Sequence, residues 1–446
     1  MIILKFKIAL LVGKALHFIG KPFGKSTNLP GEIALKICPD LFSRFNFKGK
    51  ILAVTGSNGK TTTANTVAHI LSKSGYSVIN NAKGSNLTGG VATTLITHSA
   101  FSGNIDADYV VLEVDERYSR LIFKDFAPDF MLVTNLFRDQ LTRNGNVDVI
   151  ISKLTEAIKP KTKLILNAND PISSLLAPDN DRVYYAMEKT AESSDTPMNI
   201  THDAKVCPKC FGKMKYDYFH YNHIGKFACE NCGYTNCTPK YVASEVDFSS
   251  GDFLINGEKA NTQYKSAFHF LNVTAAVSLC VEAGIDFNTA VKNASTFVVS
   301  RQRFDEFNLK DRKAVMILSK NQNPVSFDQS ISYLLNEDGE KTVIVYVNNI
   351  NHTHNKDTTW LYDISFEKLN GKVSSLICTG PRAYDLAVRL KLADFDMKCV
   401  EIEPELEKLK KIVDKTTGTV YILTELYDAK AILSAISEKD GGKDDE

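Results

Sequence analysis

The chain has 446 residues, of which 43% are hydrophobic and 24% are charged, and its formal net charge is +1. This length and composition predict a soluble globular protein of two or three domains, and the near-neutral charge gives no support to nucleic-acid binding by bulk electrostatics. Nine cysteines, four of them clustered, indicate a reducing, cytoplasmic setting and not a disulfide framework.

Residues 1–45 are predicted to form an N-terminal helical segment. Its apolar run, residues 8–12, is too short for a secretory signal or for a membrane span, which needs about 20 apolar residues. Apolar residues recur near helical spacing with lysines between them: Leu4, Ile8, Leu11, Leu16 and Ile19. Two interpretations stay open, a helix packed on its domain or a basic amphipathic helix touching an anionic membrane at its inner face. Residues 29–31 are expected to form a hinge before a second short helix.

Residues 51–63 read I-L-A-V-T-G-S-N-G-K-T-T-T, an apolar run followed by a glycine-rich turn, a lysine and threonines. This order is typical of a buried strand, a phosphate-binding loop and a helix N-terminus. Gly56 and Gly59 let the backbone approach an anion, and the amides and dipole of the helix start favour one. Lys60 is expected to bind the outer phosphates, and Thr61 to offer its hydroxyl to a magnesium ion. The standard P-loop pattern is not met, because Val54 stands where its first glycine would be.

The expected nucleoside triphosphate site is the shorter T-G-x-N-G-K-T-T, and a structural turn with a nearby lysine is the alternative. The residues of this stretch that are predicted to bind the nucleotide are Thr55, Gly56, Ser57, Asn58, Gly59, Lys60, Thr61 and Thr62.

A helix over residues 63–74 and a strand over 76–80 complete a βαβ unit, which predicts a parallel sheet. Further apolar strands at 109–114, 130–134 and 164–166 each end in polar residues: E-V-D-E (113–116), N-L-F-R-D-Q (135–140) and N-A-N-D-P (167–171). Ligands of open α/β sheets bind outside the carboxyl ends of the strands. The sequence therefore places the site at this edge.

Among the acids that follow the strand at 109–114, Glu113 is the best candidate to hold magnesium with Thr61, because a metal-bound triphosphate needs a nearby carboxylate. Asp115 and Glu116 are candidates for the acceptor side. Solvated acids at a strand end are the alternative.

The four clustered cysteines are Cys207, Cys210, Cys229 and Cys232, two CxxC pairs 18 residues apart. This spacing is that of a zinc ribbon, here an insertion at about 204–240 with a hairpin between its two knuckles. Four thiol ligands leave no position open for water, so the predicted zinc is structural. Unmetallated thiols and a redox pair are the alternatives.

The remaining chain predicts a buried helix over 268–282, a domain boundary near 300–304 and a second α/β unit over 299–436. Within that boundary Arg301 could reach back to the phosphates. The tail, residues 437–446, is rich in Gly, Lys and Asp and is expected to be disordered.

The motifs T-G-S-N-G-K-T-T-T, E-V-D-E, N-L-F-R-D-Q and N-A-N-D-P, in this order and spacing, resemble the Mur ligase family. Members activate a carboxylate as an acyl phosphate with ATP and let an amine attack it. The four-cysteine insert and the segments K-N-Q-N-P (320–324), D-T-T-W-L-Y-D (357–363) and T-G-P-R-A-Y-D-L-A (379–387) narrow the resemblance to the MurT family. These are the ligase subunits of lipid II isoglutaminyl synthases.

The resemblance implies an α/β fold in which a Mur ligase central domain, 46–298, carries the zinc ribbon and precedes a C-terminal α/β domain. It implies ATP and Mg²⁺ as cofactors, with Zn²⁺ as a structural metal. The implied reaction is amidation of the α-carboxyl of D-glutamate in the stem peptide of lipid II. Ammonia would come from a GatD-like class I glutaminase subunit. Implied site residues are Lys60, Glu113, Asn135 and Arg301 toward the nucleotide, and Asp357, which would complete the glutaminase's Cys-His pair.

The sequence departs from the family pattern at several positions. His354 and Asn355 replace an acid and a glycine before Asp357, and T-E-L-Y (424–427) replaces T-Y-T. Of the family's N-x-Y-N before the buried helix, Asn272 alone survives. Two other functions stay open: a Mur or folylpolyglutamate-type ligase that adds an amino acid, and a non-catalytic nucleotide-binding regulatory subunit.

Overall fold

The computed structural model describes residues 2–24, 26–81, 85–138, 146–197, 199–298, 304–320, 322–348, 358–425 and 428–436. Arg301, Asp357 and the tail 437–446 lie outside these ranges. The described residues form two compact units, the first comprising residues up to 138, 146–197 and 202–298, and the second 199–201 and 304–436.

The first unit is built on strands whose central members are continuous apolar runs. In chain order they are β1 Asn46–Phe47, β2 Lys50–Thr55, β3 Val78–Asn80, β4 Asn104–Ile105, β5 Tyr109–Glu113, β6 Phe130–Val133, β7 Lys163–Asn167, β8 Arg182–Met187, β9 Met214–Tyr221, β10 Ile224–Cys229, β11 Tyr241–Ser244, β12 Asp252–Ile255 and β13 Glu258–Asn261. Nine of these form one sheet in the order β13-β12-β11-β8-β7-β6-β2-β5-β3. Strands β3 to β11 in that sheet run parallel, whereas β12 and β13 add an antiparallel hairpin at one edge. The sheet is therefore mixed and not purely parallel.

Helices cover both faces of this sheet, which explains why β2 and β5 are apolar along their length. The helices are α1 Ile2–Gly20, α2 Leu29–Ile37, α3 Lys60–Lys73, α4 Thr88–His98, α5 Ser119–Ile122, α6 Val147–Ala157, α7 Ala267–Glu282 and α8 Phe287–Ala294, with 3₁₀ helices at Lys21–Phe23, Leu41–Arg44 and Ser173–Leu175. Helix α7 is buried nearly all round.

The first helix is packed on this unit through one face only. Phe6, Ala9 and Leu10 belong to the main core, and the Phe6 ring meets Phe45 edge-on at 5.9 Å. No helix among the described residues combines the length and the apolarity that crossing a bilayer requires.

The expected hinge at residues 29–31 is wrong, since these residues are the first turn of α2. Pro30 suits a first turn, where its missing N–H costs nothing. Gly31 packs so closely on α4 that a Cβ there would overlap the carbonyl oxygen of Gly89. Proline and glycine here start and pack a helix.

The second unit is a six-stranded sheet of β14 Phe304–Leu309, β15 Arg312–Ser319, β16 Lys341–Tyr346, β17 Ser375–Thr379, β18 Val400–Glu403 and β19 Thr419–Glu425. Its order is β14-β15-β19-β16-β17-β18, with β14 antiparallel and the rest parallel. The helices are α9 Pro324–Asn336, α10 Ala383–Leu392, α11 Leu406–Val413 and α12 Ala429–Ile436, with 3₁₀ helices at Thr359–Asp363, Phe366–Leu369 and Met397–Cys399. Successive residues of β15 enter two different cores, as a doubly wound sheet requires.

Candidate active site

The glycine-rich loop leaves the centre of the first unit's sheet between β2 and α3. Gly56 has φ +128° and Gly59 has φ +84°, both in the region that favours glycine. A Cβ at Gly56 would overlap Thr134 Oγ1, and one at Gly59 would overlap Asn272 Oδ1. Both glycines are therefore required by backbone conformation and by close neighbours, and Gly59 caps the helix that begins at Lys60.

The end of β6 holds this loop in place. Ser57 N donates to Asn135 O at 2.8 Å, and Asn58 N donates to Asn135 Oδ1 at 2.9 Å. Thr134 Oγ1 donates to Asn58 O at 2.6 Å. The structure thus places the predicted ligand Asn135 at the loop, where its side chain binds the loop backbone.

Lys60 is buried, and its ammonium group is held inside the loop. Nζ donates to Gly56 O and to Glu116 Oε1, the latter at 2.9 Å. Burial lowers the pKa of Lys60, but the carboxylates of Glu116, Asp115 and Glu113 raise it more, so that the net pKa lies above its ordinary value. The lysine is a fixed cation at neutral pH.

The two residues predicted to hold magnesium, Thr61 and Glu113, lie within hydrogen-bond distance of each other. Thr61 Oγ1 donates to Glu113 Oε1 at 3.1 Å, and Asn86 Nδ2 donates to the same oxygen at 2.9 Å. Asn81 binds the main chain of Glu113 on both sides, through Oδ1 to N and through Nδ2 to O, each at 2.8 Å. The hydroxyl and the carboxylate are oxygen donors of the kind that Mg²⁺ prefers, so they fit a magnesium site.

Three asparagines near the site were not predicted as ligands. Asn81 and Asn86 lie on either side of residues 82–84, which are outside the described ranges. They bind Glu113, which is 32 and 27 residues away in the sequence. Asn272, on α7, is 3% exposed, and its Nδ2 lacks a hydrogen-bond partner in the described part of the chain. Because it lies against Gly59, it is a candidate to donate to a bound nucleotide.

The motif N-A-N-D-P has a structural role in the described chain. Asp170 is fully buried and accepts bonds from Leu136 N at 3.0 Å and Ile172 N at 2.8 Å. Asn169 binds Met187 and Gly225. This motif ties the end of β7 to the four-cysteine insertion.

The predicted ribbon contains the hairpin of β9 and β10, and it brings the four cysteines together with all Sγ atoms within 4.8 Å of one another. Cys207 and Cys232 sulfurs lie 3.8 Å apart, and those of Cys210 and Cys229 lie 3.4 Å apart. Lys209 N donates to Cys207 Sγ and Asn231 N to Cys229 Sγ, each at 3.4 Å. Sulfur atoms that converge and accept backbone amides are a donor set that fits a tetrahedral zinc ion.

In the second unit, Thr358 is the first described residue after the predicted Asp357. Its Oγ1 donates to Asp385 Oδ1 of α10 at 3.4 Å. Helix α10 exposes an apolar row one turn apart: Tyr384, Val388 and Leu392. The segment after position 357 is therefore anchored beside an exposed apolar helix face.

Two family models match the chain: the Mur ligase middle domain over residues 54–234 and the MurT ligase C-terminal over residues 318–429. The chain is 33% identical over 420 residues to the lipid II isoglutaminyl synthase (glutamine-hydrolyzing) subunit MurT of Staphylococcus aureus, covering 93% of each chain. The protein of that name from Streptococcus pneumoniae is 28% identical over 447 residues, covering 97% of this chain and 98% of the other.

Two solved structures show the same fold. A pseudomurein peptide ligase type C from Methanothermus fervidus has a TM-score of 0.68 at 20% identity, covering 90% of this chain and 81% of that one. The MurF ligase from Thermotoga maritima in complex with ADP has a TM-score of 0.57 at 16% identity, covering 91% and 83%. The α/β architecture of both units is thus that of Mur ligases.

Proposed function

Since the chain belongs to the MurT family of Mur ligases, we propose that it is the ATP-dependent ligase subunit of a lipid II isoglutaminyl synthase. In the first step, an α-carboxylate oxygen of D-glutamate in the stem peptide attacks the γ-phosphorus of ATP. The bond to the bridging oxygen breaks and ADP leaves. In the second step, ammonia attacks the acyl carbon, the C–O bond breaks, phosphate leaves, and the nitrogen loses a proton to give D-isoglutamine.

The observation that carries this proposal is the glycine loop with buried Lys60 beside the Thr61–Glu113 pair, at the carboxyl ends of β2 and β5. Phosphoryl transfer requires positioning and charge stabilisation more than covalent chemistry. The loop amides and Lys60 would bind the phosphates. Thr61 and Glu113 would hold Mg²⁺, which when bound neutralises phosphate charge.

Lys60 needs a counter-ion when no nucleotide is bound, and Glu116 supplies it at 2.9 Å. A triphosphate entering the loop competes for the same ammonium group. Binding of Lys60 to the phosphates would break its ion pair with Glu116. This exchange makes Glu116 a positioning residue for Lys60.

We also propose that Cys207, Cys210, Cys229 and Cys232 hold a structural Zn²⁺. Three of these side chains are buried or half-buried against a small core that includes Met214 and Phe227. This packing suits a structural metal site better than a reactive one. Metal analysis of the purified protein should find about one zinc per chain. The Cys237→Ser variant, changed outside the cluster, should keep it.

Ammonia would come from a GatD-like class I glutaminase subunit, and Asp357 would orient the histidine of that partner's Cys-His pair. We propose that the partner covers the row of Tyr384, Val388 and Leu392 on α10. Support comes from the Thr358–Asp385 bond, which ties the residue that follows Asp357 in the sequence to that helix. ATP as substrate and unpaired thiols suit a cytoplasmic reaction.

The test measures ADP release with lipid II and either glutamine plus the partner or ammonium alone. Asp357→Asn should lose the glutamine-dependent reaction and keep the ammonium-dependent one. Equal loss of both would place Asp357 in the ligase chemistry instead. An amino acid incorporated in place of ammonia would identify an amino-acid-adding ligase, and binding of ATP without turnover would identify a regulatory subunit.

A further inference from the structure

Helix α1 carries two apolar faces, and the unit buries only one of them. Phe6, Ala9 and Leu10 face the core, and Gly13 lies against Ile96. At about 100° per residue, the opposite side of the helix presents Leu4, Ile8, Leu11 and Phe18. Phe18 is 76% exposed, Leu4 62% and Leu11 58%. Ile3 and Ile19 extend this exposed stripe to both ends of the helix.

An apolar stripe of this length on a soluble unit marks an interaction surface. From Ile3 to Ile19 it runs about 24 Å along the helix at 1.5 Å per residue. The helix cannot turn this face inward, because Phe6, Ala9 and Leu10 hold its other side in the core. Whatever covers the stripe therefore meets it as a ridge lying flat on the unit's surface.

The charged residues beside the stripe indicate what kind of surface covers it. Residues 1–25 contain five lysines and no acid. Lys5 and Lys7 are exposed at the two borders of the stripe. Lys14 is already engaged, donating to Ser99 O at 2.7 Å, and its ammonium lies over the exposed ring of Phe101 at 5.8 Å.

We propose that α1 docks this unit on an anionic lipid bilayer, with the stripe inserted at the boundary between headgroups and acyl chains. Lysine is depleted in protein–protein interfaces relative to the rest of the protein surface. By contrast, lysines that flank an apolar stripe are typical of helices lying in the plane of an anionic membrane. The docking would also bring the active site to a substrate carried by a membrane lipid. This role in substrate access, unlike the docking itself, rests on the proposed function.

The experiment is co-sedimentation of the full chain with phosphatidylglycerol vesicles and with phosphatidylcholine vesicles. Wild type should bind the anionic vesicles and, at low salt, bind the zwitterionic ones at least about thirtyfold more weakly. The double variant Leu11→Glu/Phe18→Glu should lose at least about tenfold in affinity for anionic vesicles, because both changes remove inserted apolar area. Lys5→Gln/Lys7→Gln should lose about thirtyfold at low salt and retain the residual apolar binding, at roughly fivefold per lysine.

The matched control is Leu121→Glu/Val149→Glu, which makes the same type of change at exposed helix positions of the same unit. It should bind vesicles like wild type, and all three double variants should keep the wild-type thermal midpoint. Absence of wild-type binding to anionic vesicles overturns the proposal. So does an unchanged affinity in Leu11→Glu/Phe18→Glu, or a loss of self-association or of glutaminase binding with vesicle binding intact, since a protein then covers the stripe.

A second readout separates this inference from the function on which it rests. In amidation assays, Leu11→Glu/Phe18→Glu should be impaired on lipid II in anionic vesicles and unimpaired on a water-soluble stem peptide. If vesicle binding follows the stripe but no variant, wild type included, amidates either substrate, the docking stands and the proposed function fails. If both substrates are amidated equally by both proteins, docking plays no part in substrate access and that part is overturned.

Discussion

The ion pair of Lys60 and Glu116 permits a test in which stability and catalysis separate. Both side chains are 7% exposed, and Glu113 and Asp115 are buried beside them. Replacing Lys60 with Met removes the buried cation whose charge these carboxylates face. Breaking a buried pair in this way costs about 3 kcal/mol of unfolding free energy. Proton uptake by one of the acids limits the cost, so the loss should shrink as the pH falls.

The second variant, Lys60→Met/Glu116→Gln, replaces the pair by neutral groups of similar volume. Such exchanges are often neutral for stability, so the double variant should recover most of what Lys60→Met loses. With Glu116→Gln as the other single variant, the double-mutant cycle should give a coupling energy of about 2 kcal/mol or more. ATP turnover should be abolished in both variants, because neither has a cation for the phosphates.

The measurement is urea unfolding followed by far-UV circular dichroism at pH 7.5, with ADP release measured in parallel. The single tryptophan, Trp360, lies in the second unit, so its fluorescence does not report the site directly. Because the folded pKa of Lys60 is raised, the pair's stabilisation is fully present below the unfolded lysine pKa and is lost only as the pH rises through the folded one. Wild-type stability in Lys60→Met, or no recovery in the double variant, would refute the reasoning.

Three further predictions concern other sites. Gly59→Ala and Gly75→Ala impose the same backbone strain, at φ +84° and +90°, which should cost each about 1 kcal/mol of stability. Only Gly59→Ala also overlaps Asn272, so it should lose more stability than Gly75→Ala, and calorimetry should show at least a tenfold weaker ATP affinity for that variant alone. Cys229→Ser should lower the zinc content and the melting temperature together, and an unchanged melting temperature would make the metal dispensable. Burial, with nearby Asp428, raises the pKa of Glu425 to about 7. The folded protein therefore loses stability as the pH rises from the unfolded pKa of glutamate through 7, because the buried carboxyl must ionise. Relative to wild type, Glu425→Gln should raise the free energy of unfolding by about 2–3 kcal/mol at pH 8 and change it little at pH 4.

The loop and its partners were predictable because they follow one another in the sequence. A glycine turn, Lys60 and Thr61 stand within a few residues, and Glu113 ends the next long apolar strand. The structure brings Thr61 and Glu113 to 3.1 Å, as the strand-end rule anticipates. Asn86 could not be found in this way, because it comes from a distant element and carries no local pattern. Asn272 was noted as the surviving residue of a family motif, but nothing in the sequence placed it against Gly59.

Helix α1 shows a second limit of sequence periodicity. The apolar spacing through Leu4, Ile8 and Leu11 is real, but it traces the exposed stripe and not the buried face. The packed residues Phe6, Ala9 and Leu10 form a second stripe on the other side. A helix that is apolar on two sides has no single amphipathic direction, so its partner on each face can be identified only from the fold.

The missing first glycine of the loop follows from the position of Val54 in the sheet. Val54 is fully buried in β2, paired with Glu113 of β5 on one side and with Leu132 of β6 on the other. A glycine there would weaken a central strand and leave a gap in a core packed on both faces. The turn therefore begins two residues later at Gly56, whose positive φ and close approach to Thr134 exclude a side chain. A Val54→Gly change would restore the longer P-loop pattern in sequence, yet we expect it to lower stability without improving ATP binding.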